Sequence, residues 1–324
     1  MQFLTAIQPR RVALILTLAA FVALALAPLV AAWLPGERYL LGLLARVMIF
    51  AIAAVSLDLI LGYGGLVSFG HAAFVGLGAY TVGILAAHDI TDALIVLPAV
   101  LAVCALFALG TGAVAVRTRG VYFIMITLAF GQMAYYTATS LTQYGGDDGM
   151  RLNHRSTFLG EPLVTDPLAF YYAVFAALLF FYFLTRMIVA SRFGRVLRAA
   201  RENAVRTETL GFNVIAVRLT AYVIAGMIAG VAGFLLANHI LFVSPAYMSW
   251  QRSGELIVMV VLGGIGTLHG AVLGSLAFLL IEELLSTFTE HWKVIFGPLL
   301  ILVVLFARGG LLGLLGLLGG GRRD

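Results

Sequence analysis

Long apolar stretches recur along the whole chain and decide what it can fold into. Residues 12–34, 39–61, 93–116, 121–141, 168–190, 219–240 and 268–285 each run to about the 20 residues that one helical crossing of a bilayer needs. Shorter apolar stretches at 72–87, 253–265 and 294–307 bring the expected number of crossings to about ten. Only 11% of the residues are charged, against about 25% in a soluble domain. The expected fold is therefore all-α and integral to a membrane: one polytopic transmembrane domain over residues 1–324. The first run follows Arg10 and Arg11 and ends near Val30-Ala31-Ala32, so a cleaved signal peptide competes with a first span. Its length favours the span.

The charge pattern orients the bundle. The formal net charge is +5, almost all of the basic residues are arginine, and Lys293 is the single lysine. Such a balance can signal nucleic acid, but here the arginines collect at the edges of spans, which is the pattern of bilayer orientation. The bias places both ends of the chain in the cytoplasm. It places the loop at about 142–167, with Gly145, Gly146, Asp147, Asp148 and Gly149, on the outside. Cys104 stands alone in an apolar run and can form no internal disulfide.

One polar island interrupts the apolar chain, at about 191–218. Arg192, Arg195, Arg198, Arg201, Arg206 and Arg218 cluster there against Glu202 and Glu208. Wound as a helix, Phe193, Val196, Leu197, Ala200, Ala204 and Leu210 share one side, while Arg195, Arg198, Glu202 and Arg206 share the other. Gly211 and Asn213 follow as end signals. This spacing predicts a short amphipathic helix on the cytoplasmic face that docks a partner through its apolar stripe. The alternative is a solvated basic loop that only sets topology.

Two glycine-rich breaks are the second feature. Leu61-Gly62-Tyr63-Gly64-Gly65 opens one and Leu262-Gly263-Gly264-Ile265-Gly266 the other, with Ser68 and Thr267 near them. Paired interrupted helices expose free N–H and C=O groups that can meet a polar solute. The competing explanation is close helix packing. Of the acids in apolar surroundings, Asp58 is the one expected to lie deep, whereas Glu255, Glu282 and Glu283 fall near segment ends. Arg46 and Asp58 are about 18 Å apart along one helix and do not pair. His71 and His239 fit hydrogen-bonded structural roles. No phosphate loop, GxSxG, HExxH or CxxC motif is present, so ATP hydrolysis or an enzyme site has no support in the sequence.

Four blocks together resemble the inner-membrane permease subunits of bacterial branched-chain amino acid ABC importers, of the LivM type. They are Leu57 to Gly65 running on through Ser68-Phe69-Gly70-His71 to Tyr80, the Gly145-Gly146-Asp147-Asp148-Gly149 loop, Gly194-Arg195 through Asn203 to Asn213, and Val260 to Thr267. Leu66 stands where many members carry Gln, Asp58 where Asn is frequent, and Arg308-Gly309-Gly310-Leu311 lacks the family's Pro.

The resemblance implies a multi-pass inner-membrane subunit. Its partners would be a second related permease, two cytoplasmic ATPases that bind ATP and Mg, and an extracytoplasmic solute-binding protein. It implies no cofactor in this chain. It puts Asp58, Gly62, Gly64, Gly65, Ser68, His71, Gly263, Gly264, Gly266 and Thr267 along the substrate path. Arg195, Leu197, Arg198, Glu202, Glu208 and Gly211 would serve ATPase coupling, and the outer glycine loop would offer the binding protein a flexible surface. No dominant charged pocket is expected between these two ends. A stand-alone carrier or channel for urea or amino acids, with Asp58 as a coupling group, is the alternative function.

Overall fold

The computed structural model describes residues 7–31, 36–158, 166–288, 291 and 294–298. The expected last span at 294–307 and the Gly/Leu tail lie largely outside these residues. The chain forms α1 (Ile7–Ala31), α2 (Glu37–Asp58), α3 (His71–Ala87), α4 (Ala93–Ala115) and α5 (Val121–Ser140). After a longer connection come α6 (Pro167–Ala190), α7 (Arg192–Glu202), α8 (Ala204–Thr209) and α9 (Val214–Ile240). The hairpin of α10 (Trp250–Gly263) and α11 (Leu268–Phe288) completes the described part.

Among the described residues six helical segments, fewer than the ten crossings expected, are long and apolar enough to cross a membrane: Glu37–Tyr63, α4, α5, α6, α9 and α11. They divide by burial. Two-thirds of the most apolar window is buried in Glu37–Tyr63 and in α9, but only a fifth to a third in α4, α5, α6 and α11. The first two are the axis of the bundle. The others turn residues such as Leu106, Tyr122, Phe180 and Met187 outward, where lipid or another subunit is the natural solvent.

Small residues let this axis pack tightly. α9 lies against α3, α4 and α2. A side chain on Gly78 of α3 would overlap the backbone of Gly230 in α9, so the two helices touch main chain to main chain. Above that contact Phe74, Phe107, Phe123 and Tyr222 meet edge to face, at 5.5–6.2 Å between ring centres.

The polar island folds as two helices, not one. Asn203 ends α7 and caps α8, its side-chain oxygen accepting from Arg206 N at 3.0 Å. The expected apolar stripe is also turned around. Leu197, Ala200 and Ala204 are buried against the bundle, whereas Leu210 is 69% exposed. Arg218, read as part of the island, lies inside α9, buried, and donates to Ala200 O at 2.9 Å.

The glycine loop at 145–149 is tied down more than its composition suggests. β1 (Met150–Arg151) pairs antiparallel with β2 (Phe242–Val243), and Gly149 N donates to Gly145 O. Asp147 and Asp148 remain exposed at its tip.

Candidate functional site

The two glycine breaks, about 200 residues apart in sequence, meet in space. α2 does not stop at Asp58 but widens into a π-type turn over Leu59–Tyr63. Such turns re-aim backbone groups inside a helix. On the other side, α10 ends at Gly263, and Gly264 and Gly266 take φ values of 115° and 77° that only glycine adopts without strain. Gly266 N then donates to Asp58 Oδ1 at 2.8 Å. Gly62 sits in the angle between them: a Cβ there would overlap Asp58 Oδ1 and come within 2.6 Å of Gly266 N and Cα. The breaks therefore form one interlocked junction.

The island helix lies directly on this junction. Arg201 Nη1 donates to Gly62 O, and its charge attracts Asp58. The stem of Arg201 covers Gly65, and Leu197 Cδ1 lies against Gly64. Thus α7 touches the first break with both an apolar and a charged residue.

Most of the expected path residues are buried, but Gly65 is exposed and Gly266 and Thr267 are half-buried. Asp58, Ser68 and His71 have no exposed surface. Ser56 Oγ donates to Ala53 O, so its partner at 2.8 Å, His71 Nε2, carries the proton and donates to it. This bond ties α2 to α3. Side chains satisfy backbone donors where α3 begins: Phe69 N in the irregular stretch before it donates to Thr127 Oγ1, and Ala72 N in its first turn to Ser253 Oγ. Thr267 closes its own turn on Gly264 O at 2.7 Å. Gly263 packs on Gly270 across the hairpin.

The expected coupling residues split into two groups. Arg195, Glu202, Glu208 and Gly211 are exposed. Arg198 donates to Gly194 O and Val189 O, and so caps the end of α6. Leu197, expected to insert into a partner, is fully buried within this chain. A helical wheel cannot tell a stripe facing its own bundle from one facing a partner. Arg201 escaped notice as a site residue, although it stands four residues after Leu197 and so on the same face. The exposed apolar residues of this region are Val205, Leu210, Phe212 and Ile215, gathered around the turn at Gly211.

Span-length helices, an interrupted one locked to the broken turn of a helical hairpin, with an amphipathic helix laid across the lock, are the build of a membrane transport protein. The comparisons agree. Residues 39–305 match the family model of the branched-chain amino acid transport system permease component, and the chain belongs to that family.

The chain is 28% identical over 292 residues to the high-affinity branched-chain amino acid transport system permease protein LivM of Escherichia coli K12, covering 82% of this chain and 68% of that protein. LivM of Salmonella typhimurium is 27% identical over 290 residues, with the same shares. LivH of E. coli K12 is 37% identical over 132 residues, 40% of this chain and 42% of that protein. No solved structure matches. The chain is accordingly a membrane permease component of an ABC-type import system and not its ATPase.

Proposed function

We propose that this subunit carries branched-chain amino acids inward, driven by ATP hydrolysed on two separate ATPases, alongside a second permease and fed by an extracytoplasmic binding protein. The observation that carries the reading is the contact of Arg201 and Leu197 with the first break, because it joins an exposed helix to the seal of the path. The charge bias supports α7 and α8 in the cytoplasm, the Gly145–Asp148 loop outside and both chain ends inside.

In this scheme the ATPase grips the exposed tip around Gly211. Val205, Leu210 and Phe212 supply apolar contact, and Arg195, Glu202 and Glu208 form the polar rim. Closure of the ATPases pulls α7 as a rigid lever. Arg201 leaves Gly62 O, Leu197 leaves Gly64, and the Asp58–Gly266 bond breaks, which opens the junction. The exposed Asp147 and Asp148 face the binding protein.

The test is co-purification of the ATPases with two variants. Phe212→Asp should release the ATPase and stop uptake while the permease stays folded in the membrane. Leu197→Asp should unfold or degrade the permease itself, since it buries a charge in the bundle. If Phe212→Asp and Leu210→Asp both retain the ATPase and full uptake, the tip is not the docking surface.

A further inference from the structure

Toward the other end of α2 and α10 lies a cavity of about 280 Å³. Contrary to the expectation from sequence, it is charged. Arg46 and Arg252 line it, and each is accompanied by a glutamate. Arg252 Nη1 lies 2.6 Å from Glu255 Oε2, and Arg46 Nη2 lies 3.6 Å from Glu282 Oε1. The second pair is loose, and Glu282 Oε2 is buried with no hydrogen-bond partner. Phe50, Val75, Leu236 and Leu256 form apolar walls between the charges.

Charged side chains on a cavity wall within a membrane bundle are costly unless they are paired or serve a solute. Glu282 and Glu255 stand behind the two lining arginines as their ion-pair partners, and these arginine–glutamate pairs leave no net charge to attract an ion. Set against apolar walls, they match a molecule that carries both charges and an aliphatic group. The volume falls just below the range of about 300–1,000 Å³ used by drug-sized ligands, which suits an amino acid. A neutral amide such as urea would fill little of the space and would satisfy neither charge.

We infer that this cavity is a substrate site of the chain itself, taking an aliphatic α-amino acid as its zwitterion. Arg46 and Arg252 hold the carboxylate, Glu282 receives the ammonium, and the apolar walls take the branched side chain. The inference rests on the permease reading above and adds the recognition residues and the exclusion of neutral amides. It also places site and seal on the same two helices. Arg46 precedes Asp58, and Arg252 precedes Gly264, by about 18 Å along each helix. A solute in the cavity thus waits at one end of α2 and α10 while their other ends are locked.

The test uses the complete complex in nanodiscs without its binding protein, with tritiated L-leucine as probe. Millimolar-range binding is expected, displaced by L-valine but not by leucinamide, isovalerate or urea. Arg252→Gln should weaken leucine binding by about tenfold or more. That change also frees Glu255, so Ile240→Trp serves as a second variant. Ile240 lines the cavity and is 45% exposed, so a larger ring fills space without displacing the core. It should weaken binding by a similar factor in a normally assembled complex.

The site is overturned if the parent complex binds no leucine in the millimolar range, if leucinamide or urea competes as well as valine, or if both variants bind like the parent. The permease reading fails on a different result, the absence of ATP-dependent leucine uptake by the intact complex with its binding protein. Uptake that survives in the parent and in both variants removes the cavity site and leaves that reading in place.

Discussion

Gly62→Ala is the smallest change that should unlock the junction. The added methyl would overlap Asp58 Oδ1 and lie 2.5 Å from Gly266 N and 2.6 Å from Gly266 Cα. Two of these atoms are backbone and cannot rotate away. Overpacking of this kind costs about 1–3 kcal/mol. The bond from Gly266 N to the Asp58 carboxyl must lengthen or break, which costs about 1–3 kcal/mol more. A total of about 2–6 kcal/mol is a large share of the roughly 5–15 kcal/mol that holds a folded protein together.

The control is Gly110→Ala in α4, where an added Cβ meets nothing within 4 Å. There the change should stabilise the helix by about 0.5–1 kcal/mol. Thermal unfolding of the purified complex, read beside leucine uptake, compares the two. A lower Tm and impaired uptake are expected for Gly62→Ala, and a parent-like or higher Tm with normal uptake for Gly110→Ala. If Gly62→Ala melts and transports like the control, the two breaks do not bear on each other.

Asp58→Asn should keep most uptake, because the amide oxygen can still accept from Gly266 N. Asp58→Leu should abolish it, and equal loss in both variants would revive proton coupling as the role of this residue. Arg201→Ala should leave the ATPase bound but uncouple its hydrolysis from uptake, measured as ATP consumed per leucine imported. An unchanged ratio would reduce Arg201 to a packing residue. Asp148→Cys should react with an impermeant thiol reagent from the outer face of intact cells, and labelling confined to inverted vesicles would reverse the topology.

The transmembrane class, the span limits within a few residues, and the two glycine breaks could be read from the sequence. These features are local: an apolar run of about 20 residues has no other stable solution, and Gly264 and Gly266 announce their backbone by having no side chain. Asn203 carried a readable signal as well, since it caps α8, yet the stripe on either side of it suggested one continuous helix. Periodicity shows that a helix has two faces and is silent about which neighbour each face meets.

Only the tertiary structure decided the rest. Asp58 finds Gly266 and Arg201 finds Gly62 because α2, α7 and the α10–α11 hairpin converge, and no local pattern records that convergence. The same holds for Arg46, which looked like an isolated charge in an apolar run until α11 brought Glu282 beside it. Each residue's need for a lipid-free partner was written in its chemistry, but the identity of that partner depends on contacts more than a hundred residues away along the chain.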